Sequence, residues 1–190
     1  MGKDYLAQLK TFYKRNHRLP SYSEMGKLFG FASKKSVFDI VHKWIEEGVL
    51  QKINDKLSPT TLFFSLPLLG IIKAGFPILA EENKQYLSLD DYLIEDPQSS
   101  FLLKVSGDSL IDEGIYDGDI VIIERRKDAN AGDIVLAEID KEFTLKILKR
   151  DPVRRISYLQ AANPKYPPFY PKYELNVHGV VKGVVRKLYN

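Results

Sequence analysis

The sequence predicts a two-domain α+β protein, in which an N-terminal helical domain with a small hairpin precedes a C-terminal, mostly antiparallel β domain. Apolar residues recur at helical spacing in the first quarter of the chain. After Phe101 they form short runs rich in Val, Ile, Leu and Phe, and turn sequences separate these runs. This change of periodicity within one chain indicates two differently built domains.

Three helices are predicted at the start of the chain. Residues 4–16 carry apolar side chains at the spacing of one helical face. Ser21 and Glu24 form a capping-box pattern at the start of a second helix, and Gly30 ends it. Ser33 is the expected N-cap of a third helix.

A hairpin is predicted next, with strands at Val49–Ile53 and Thr60–Ser65. Three helices followed by a hairpin describe a winged helix-turn-helix, in which the N-terminal end of the third helix enters the DNA major groove. The alternative interpretation is a small helical bundle that docks another protein. Under the first interpretation, the candidate DNA-contacting residues are Ser33, Lys34, Lys35, Ser36, Phe38 and Asp39.

Charge and composition narrow the function classes. Residues 1–60 hold 11 Lys/Arg against 6 Asp/Glu, whereas the remaining residues hold 17 against 19. A basic excess confined to the helical domain is compatible with phosphate contacts.

The chain has no cysteine, so disulfides and thiolate metal sites are excluded, and no metal or cofactor is expected. The absence of a signal peptide and of a long apolar run predicts a cytoplasmic protein without a membrane span.

A linker is predicted between the domains, because prolines and glycines interrupt an apolar stretch and exclude a helix there. The sequence is compatible with two structures for this linker: a strand with a turn, or an extended segment that docks in a groove. Ala74-Gly75 is its least hindered dipeptide, which by itself indicates only a bend. The expected boundaries are 1–66 for the helical domain, 67–80 for the linker and 81–190 for the β domain.

The β domain is predicted from its strands and turns. No helical pattern of any length is visible after Phe101, and residues 161–174, with four prolines, are expected to form an irregular surface segment. Asp117-Gly118-Asp119 is interpreted as a plain β-turn. The predicted strands are Phe101–Val105, Ile120–Glu124, Ile134–Ile139, Phe143–Leu148, Ser157–Ala161 and Leu175–Tyr189.

Ser109 is the candidate nucleophile, because it follows a predicted buried strand beside Gly107, where the backbone can turn sharply. The bases available are His178 and Lys146, and strand alternation places Lys146 on one face with Thr144. Burial lowers the pKa of a lysine, and a neutral amine can then take a hydroxyl proton. Residue types alone leave an ordinary surface turn open as well.

The chain resembles the LexA repressor family over nearly its whole length. The motifs that carry the resemblance are VSGDSL at 105–110, GIYDGD at 114–119 and TLK at 144–146. The spacing of 37 residues between Ser109 and Lys146 also matches the spacing in that family. The resemblance implies that Ser109 is the nucleophile and Lys146 the general base of a self-cleaving peptidase, and that Ala74–Gly75 is the bond cut.

The resemblance also implies the partners. Members of this family bind double-stranded operator DNA as homodimers formed through the C-terminal domain. Their self-cleavage is stimulated by the RecA filament on single-stranded DNA during the SOS response to DNA damage. Two alternatives stay open: a phage or mobile-element repressor of the same architecture, and a processing peptidase of the same family. The helical domain argues against the second.

The chain departs from the family pattern in three ways. Asp108 and Leu110 stand where methionine is common. Lys73 places a charge directly before Ala74, and if it must enter a dry cleft, cleavage is expected to be slower. The start of the third helix also differs from the usual repressor sequence, so a different operator is expected.

Overall fold

The computed structural model describes residues 4–68, 72–73, 76–77 and 85–188, with only the backbone described at 72–73 and 76–77. The chain divides into two compact units, Met1–Asp91 and Tyr92–Asn190. No helix in the described part of the chain is long and apolar enough to cross a membrane.

The first unit begins with three capped helices and continues with short antiparallel strand pairs. The elements are α1 (Tyr5–Asn16), α2 (Tyr22–Phe29), α3 (Lys34–Glu46), β1 (Leu50–Ile53), β2 (Lys56–Pro59), α4 (Thr61–Phe64), β3 (Leu66–Leu68), β4 (Ile72–Lys73), β5 (Phe76–Pro77) and β6 (Gln85–Leu87). The strands pair as β1 with β2, β3 with β6, and β4 with β5. A short helix, α5, spans Leu89–Leu93 and so crosses the boundary between the two units in the sequence.

The three helices form where the sequence predicts them, and their caps explain the boundaries. The Asp4 side chain accepts a hydrogen bond from the Ala7 amide and starts α1. The predicted capping box opens α2, since Ser21 and Glu24 each bond to the other's backbone amide. Ser33 caps α3 by accepting from the Ser36 amide at 3.1 Å. The apolar faces of all three helices meet in one buried core.

The second strand of the hairpin was predicted at the wrong place. Asn54 and Asp55 both adopt positive φ, a backbone typical of two-residue hairpin turns, so β2 begins at once with Lys56 opposite Ile53. The predicted strand Thr60–Ser65 instead contains the helical turn α4. That turn buries Phe63 in the helical core, which a strand continuing the hairpin would not do.

The second unit is built on six antiparallel strands: β7 (Ser100–Lys104), β8 (Ile120–Glu124), β9 (Ile134–Ile139), β10 (Glu142–Asp151), β11 (Ile156–Gln160) and β12 (Leu175–Val185). They form one sheet in the order β11-β10-β9-β12-β8-β7. Within the described residues after Phe101, helical backbone occurs as a three-residue 3₁₀ turn at Ile111–Glu113, which is too short to produce a helical pattern in the sequence.

The proline-rich segment is irregular as predicted, but it is not all at the surface. Ala161, Ala162 and Asn163 are buried, and the Ala162 carbonyl accepts from the Asp112 amide at 2.9 Å. Further along, Phe169 forms an isolated bridge with Leu159 of β11. The prediction of a surface segment was therefore wrong for its first residues, which pack under the loop that follows β7.

Candidate active site

The loop between β7 and β8 carries Ser109 and is closed at its base. The Val105 amide donates to the Asp119 carbonyl at 2.8 Å, and the Gly118 amide donates back to Val105 at 3.0 Å. The Asp117 carboxylate accepts from the Gly107 amide at 2.8 Å, and Gly107 has a positive φ. Interpreting 117–119 as a plain turn was therefore wrong, because its side chains hold the loop that presents the serine.

Lys146 lies in β10 beside the central strand β9, where it pairs with Val135. Its side chain is turned into the structure, and the residue is only 8% exposed. The amine Nζ donates to Ser109 Oγ at 2.9 Å, to Thr144 Oγ1 at 3.0 Å and to the Leu145 carbonyl at 3.0 Å. The fold thus brings together two residues that are 37 positions apart in the chain.

Burial lowers the pKa of Lys146 below the ordinary lysine value, because the charged ammonium loses its hydration. A separation of 2.9 Å is within the reach needed for proton transfer between a nucleophile and its base. Once the amine is neutral, its lone pair can accept the Ser109 hydroxyl proton. The pair therefore has the geometry and the electrostatics of an activated serine.

His178, the other candidate base, has different partners. Its Nε2 lies 3.1 Å from a Glu138 carboxylate oxygen, and its ring lies 5.1 Å from that of Phe143. Lys146 is the candidate base that contacts Ser109.

The cleft around this pair measures about 290 Å³, and polar and apolar groups share its lining about equally. Its polar side chains are those of Lys104, Ser106, Ser109, Thr144 and Lys146. The apolar side chains that line it are Leu103, Val105, Leu110, Leu136, Phe143 and Leu145.

A second interaction supports the loop from the far end of β12. The Arg186 guanidinium donates to both Asp119 oxygens, through Nε at 2.6 Å to Oδ1, and to the Gly114 carbonyl at 2.6 Å. Its carbon Cζ lies 4.2 Å from the centroid of the Tyr116 ring. The hydrogen bond from Arg186 lowers the pKa of Asp119 to about 2. Asp119 is 67 residues from Arg186 in sequence, so no local pattern indicated this pair.

The predicted cleavage dipeptide Ala74-Gly75 lies outside the described residues, as does the side chain of Lys73. Its neighbours on either side are described by their backbone: β4 and β5 pair antiparallel, with Ile72 opposite Pro77 and Lys73 opposite Phe76.

The six candidate DNA-contacting residues lie at the start of α3 and are solvent-exposed. Ser33 and Ser36 are engaged with each other, their hydroxyl oxygens being 2.9 Å apart. Lys34, Lys35 and Asp39 are exposed. The Phe38 ring is 52% exposed and stacks on Tyr22 of α2, with 6.5 Å between ring centroids.

Comparison with known proteins places the chain in a family. Residues 67–182 match the family described as Peptidase S24-like. The chain is 33% identical over 188 residues to the LexA repressor of Stenotrophomonas maltophilia, covering 88% of this chain and 87% of that protein. It is 34% identical over 196 residues to the LexA repressor of Leptospira interrogans, covering 95% and 94%. It is 31% identical over 194 residues to that of Carboxydothermus hydrogenoformans, covering 97% and 95%. The chain belongs to the LexA repressor family.

Proposed function

We propose that this protein is a LexA-like transcriptional repressor that inactivates itself by cutting its own linker at Ala74–Gly75, with Ser109 as nucleophile and Lys146 as general base. The observation that carries the proposal is the 2.9 Å contact between Ser109 Oγ and the buried amine of Lys146. Similarity to LexA repressors over most of the chain supports the same function.

The proposed reaction is acyl transfer followed by hydrolysis. Neutral Lys146 takes the Ser109 proton while Oγ attacks the carbonyl carbon of Ala74. The resulting ammonium then returns the proton to the Gly75 nitrogen, so that the peptide bond breaks and Ser109 carries the ester of Ala74. Lys146 next takes a proton from water, whose oxygen attacks the ester carbon, and then returns this proton to Ser109 Oγ as the ester C–O bond breaks. Ser109 and neutral Lys146 are regenerated, and the new Ala74 carboxylic acid loses its proton to solvent.

Regulation follows from the tether. A linker joined to its own active site has a high effective concentration, so cleavage needs only a docked geometry and not a high intrinsic affinity. An equilibrium that favours the undocked linker keeps the repressor intact. We propose that the RecA filament on single-stranded DNA stabilises the docked form, which converts DNA damage into cleavage.

Operator binding is assigned to residues 1–66, as a winged helix-turn-helix. Three helices followed by the β1–β2 hairpin support this assignment, as does the basic excess of residues 1–60. We assign the exposed lysines Lys34 and Lys35 to contacts with phosphates or base edges, and Phe38 to contact with a thymine methyl group. Ser33 and Ser36 are engaged with each other, which makes them weaker candidates.

The remaining parts of the proposal concern assembly and location. Homodimers formed through the C-terminal domain would present two DNA-binding units to a two-fold symmetric operator. We propose domain limits of 1–66 and 81–190 around a linker at 67–80, and action in the cytoplasm, where the DNA and RecA are found.

The test combines cleavage with DNA binding. Purified protein is incubated with RecA, a slowly hydrolysed ATP analogue and single-stranded DNA, and the products are resolved by mass. We expect two fragments that meet between Ala74 and Gly75, and no cleavage of Ser109→Ala or Lys146→Ala. Both variants should bind duplex DNA like the unchanged protein. An intact chain under these conditions would remove RecA-stimulated cleavage from the account.

The DNA partner is tested by selecting bound duplexes from a random pool with the intact protein. We expect a two-fold symmetric site. Lys35→Ala should weaken binding to all sequences and lower the salt slope by about 1 if this lysine contacts a phosphate. Loss of discrimination at one base pair would instead assign it to a base edge, and binding that does not depend on salt would contradict the DNA-binding assignment.

A further inference from the structure

The proline-rich stretch between β11 and β12 contacts Lys146 and Asp108, the residue before Ser109, through its first nine residues, 161–169, here called the wall segment. Asn163 in this segment is only 6% exposed. Its amide Nδ2 donates to the Asp108 carbonyl at 2.9 Å, and its Oδ1 accepts from the Lys165 amide at 3.0 Å. Since Asp108 directly precedes Ser109, this contact holds the backbone next to the nucleophile.

Tyr166 makes a second contact with the same residue. Its hydroxyl donates to Asp108 Oδ1 at 2.5 Å, and Lys165 Nζ lies 3.5 Å from Oδ2. The hydrogen bond lowers the pKa of Asp108 and raises that of Tyr166, so the acceptor stays ionised and the donor stays protonated at neutral pH. Asp108, a departure from the methionine common in the family, therefore has a defined partner in this chain.

The far end of the wall segment reaches the lysine. The centroid of the Phe169 ring lies 5.7 Å from Lys146 Nζ. Two backbone hydrogen bonds, at 2.9 and 2.7 Å, fix Phe169 to Leu159 of β11. Leu159 in turn pairs with Leu148 of β10, the strand that carries Lys146. The ring is thus held beside the amine by the sheet itself.

From these contacts we propose that the wall segment is part of the active site, where Asn163 and Tyr166 position Ser109 and Phe169 keeps water away from Lys146. All three act through the dyad as positioning residues. The inference deepens the proposed self-cleavage and rests on it for its reaction, but the contacts can also be tested in a protein that does not cleave.

The Phe169 ring has two opposing effects on the amine. A cation over a ring face is stabilised, which favours the ammonium, whereas exclusion of water favours the neutral amine. Burial dominates, because the pKa of Lys146 is lowered. Among the residues that line the cleft, Lys104 is the other charged group; on the loop, Asp108 is bound by Tyr166, and on β9 the facing residue is Val135. Removing the ring should therefore raise the pKa of Lys146.

The proposed positioning of Ser109 by Asn163 and Tyr166 is tested with Asn163→Ala and Tyr166→Phe. Tyr170→Phe is the matched control, because it deletes the same kind of hydroxyl just beyond the wall segment, from a ring that packs on Tyr158 and Arg154 instead of Asp108. Self-cleavage is followed across pH, together with labelling of Ser109 by a fluorophosphonate. We expect Asn163→Ala to slow both reactions at least about tenfold, since small misplacements of reacting groups are costly. Tyr166→Phe should slow them several-fold, Tyr170→Phe should leave them unchanged, and the pH midpoint should not move.

Rates within twofold of the unchanged protein for both test variants would overturn the positioning of Ser109 by Asn163 and Tyr166. An equal loss of rate in Tyr170→Phe would overturn it as well. Thermal melting of each variant separates a local effect from global loss of structure. If Asn163→Ala does not fold, Tyr166→Phe, which keeps its ring, carries the test alone.

The proposed effect of Phe169 on Lys146 is tested in the Ser109→Ala variant, in which no cleavage is expected. The pKa of Lys146 is measured by NMR on protein with ¹³C-labelled lysine, with and without Phe169→Ala. We expect a higher pKa once the ring is removed, and in the cleaving protein a pH midpoint moved to the alkaline side. Phe169→Leu, which retains more of the buried apolar surface, serves if the alanine variant unfolds, with a smaller shift in the same direction.

An unchanged or lower pKa of Lys146 in the Phe169 variants would overturn the proposal that Phe169 keeps water away from this amine. A protein that never cleaves but shows the expected pKa change, with slower labelling of Ser109 in Asn163→Ala, would support the wall segment and contradict self-cleavage. The two proposals therefore fail on different measurements.

Discussion

At the residue scale, Lys146 combines burial with three hydrogen-bond acceptors, and this combination accounts for its proposed role. Thr144 Oγ1 and the Leu145 carbonyl fix the direction of the amine, while Ser109 Oγ is the third partner. Because burial lowers the pKa of Lys146, the neutral amine is formed at a lower pH than for an exposed lysine. The chemistry of the site should therefore depend on pH through this one group.

The first prediction is a pH dependence of self-cleavage in the absence of RecA. The rate should rise with pH as Lys146 loses its proton and fall on acidification, with a midpoint below the value of about 10.4 for an exposed lysine. Lys146→Arg, which stays charged throughout, should not cleave at any pH in the range. A rate that does not change with pH would contradict lysine as the base.

A second prediction concerns Asp119 and its partner Arg186. The pKa of Asp119 is lowered to about 2 in the folded protein, against about 3.9 for the free side chain, so its stabilising effect is full above about 4 and is lost as pH falls through about 2. Asp119→Asn should lower the melting temperature at pH 7, and the difference from the unchanged protein should shrink on acidification. A difference that stays constant down to pH 2 would contradict this assignment.

The residues of the site differ in how far sequence alone could reveal them. Ser109 and Lys146 stood out because each occurs in a recognisable motif at a fixed spacing. Asn163, Tyr166 and Phe169 did not, because their partners become neighbours only when β11 pairs with β10 and the segment folds back on the loop after β7. Arg186 was missed for the same reason, since its partner Asp119 is distant in sequence.

At the element scale, β12 is an interior strand of the sheet with two irregularities in its pairing. It pairs with both β8 and β9, and its register shifts between Val177 and Gly179 and again between Val181 and Gly183. A Cβ added at Gly179 would collide with Ile123 Cγ2 and lie 2.8 Å from the Glu124 carbonyl oxygen, which belongs to the backbone and cannot move aside. At Gly183 the nearest atom is the flexible end of Ile122, 3.4 Å away.

Gly179→Ala should therefore destabilise the second unit by about 1–3 kcal/mol, the usual cost of overpacking, whereas Gly183→Ala should cost much less. The measurement is chemical unfolding of each variant with the Ser109→Ala change present in all samples, so that cleavage does not interfere. Equal losses in the two variants would contradict this account of the bulge.

The hairpin shows why the boundaries of an element cannot always be predicted from a sequence pattern. The apolar run at 60–65 suits a strand locally, and only the early turn at Asn54-Asp55 and the burial of Phe63 convert it into a helical turn. The helices were easier to predict, because their caps are local: Ser21 with Glu24, and Ser33 with Ser36, lie three residues apart. Strand ends in the second unit shifted by a few residues, since pairing partners set them.

At the scale of the whole molecule, the proposed function depends on the proposed linker at 67–80, which would join the DNA-binding domain to the peptidase domain. Two DNA-binding units held in one dimer bind two half-sites with an effective concentration that separate units lack. Cutting the linker removes this gain while leaving each unit's contacts with DNA unchanged. Derepression would thus need no conformational change in the DNA-binding unit.

Cleaved protein should accordingly bind its operator at least about 100-fold more weakly than intact protein, within the range expected for lost avidity. Binding to a single half-site should change little, and this half-site is the internal control. Both affinities can be measured by fluorescence anisotropy at one fixed salt concentration. Equal loss on the half-site and on the full operator would contradict the avidity argument.

Self-cleavage as proposed requires Ser109, activated by Lys146, to cut the chain between Ala74 and Gly75. Intact-mass spectrometry of purified protein held at mildly alkaline pH, alongside Ser109→Ala and Lys146→Ala, detects this cut. We expect two fragments, residues 1–74 and 75–190, from the unchanged protein, and an uncut chain from both variants. Fragments that end elsewhere, or the same cut in Ser109→Ala, would contradict the proposed reaction.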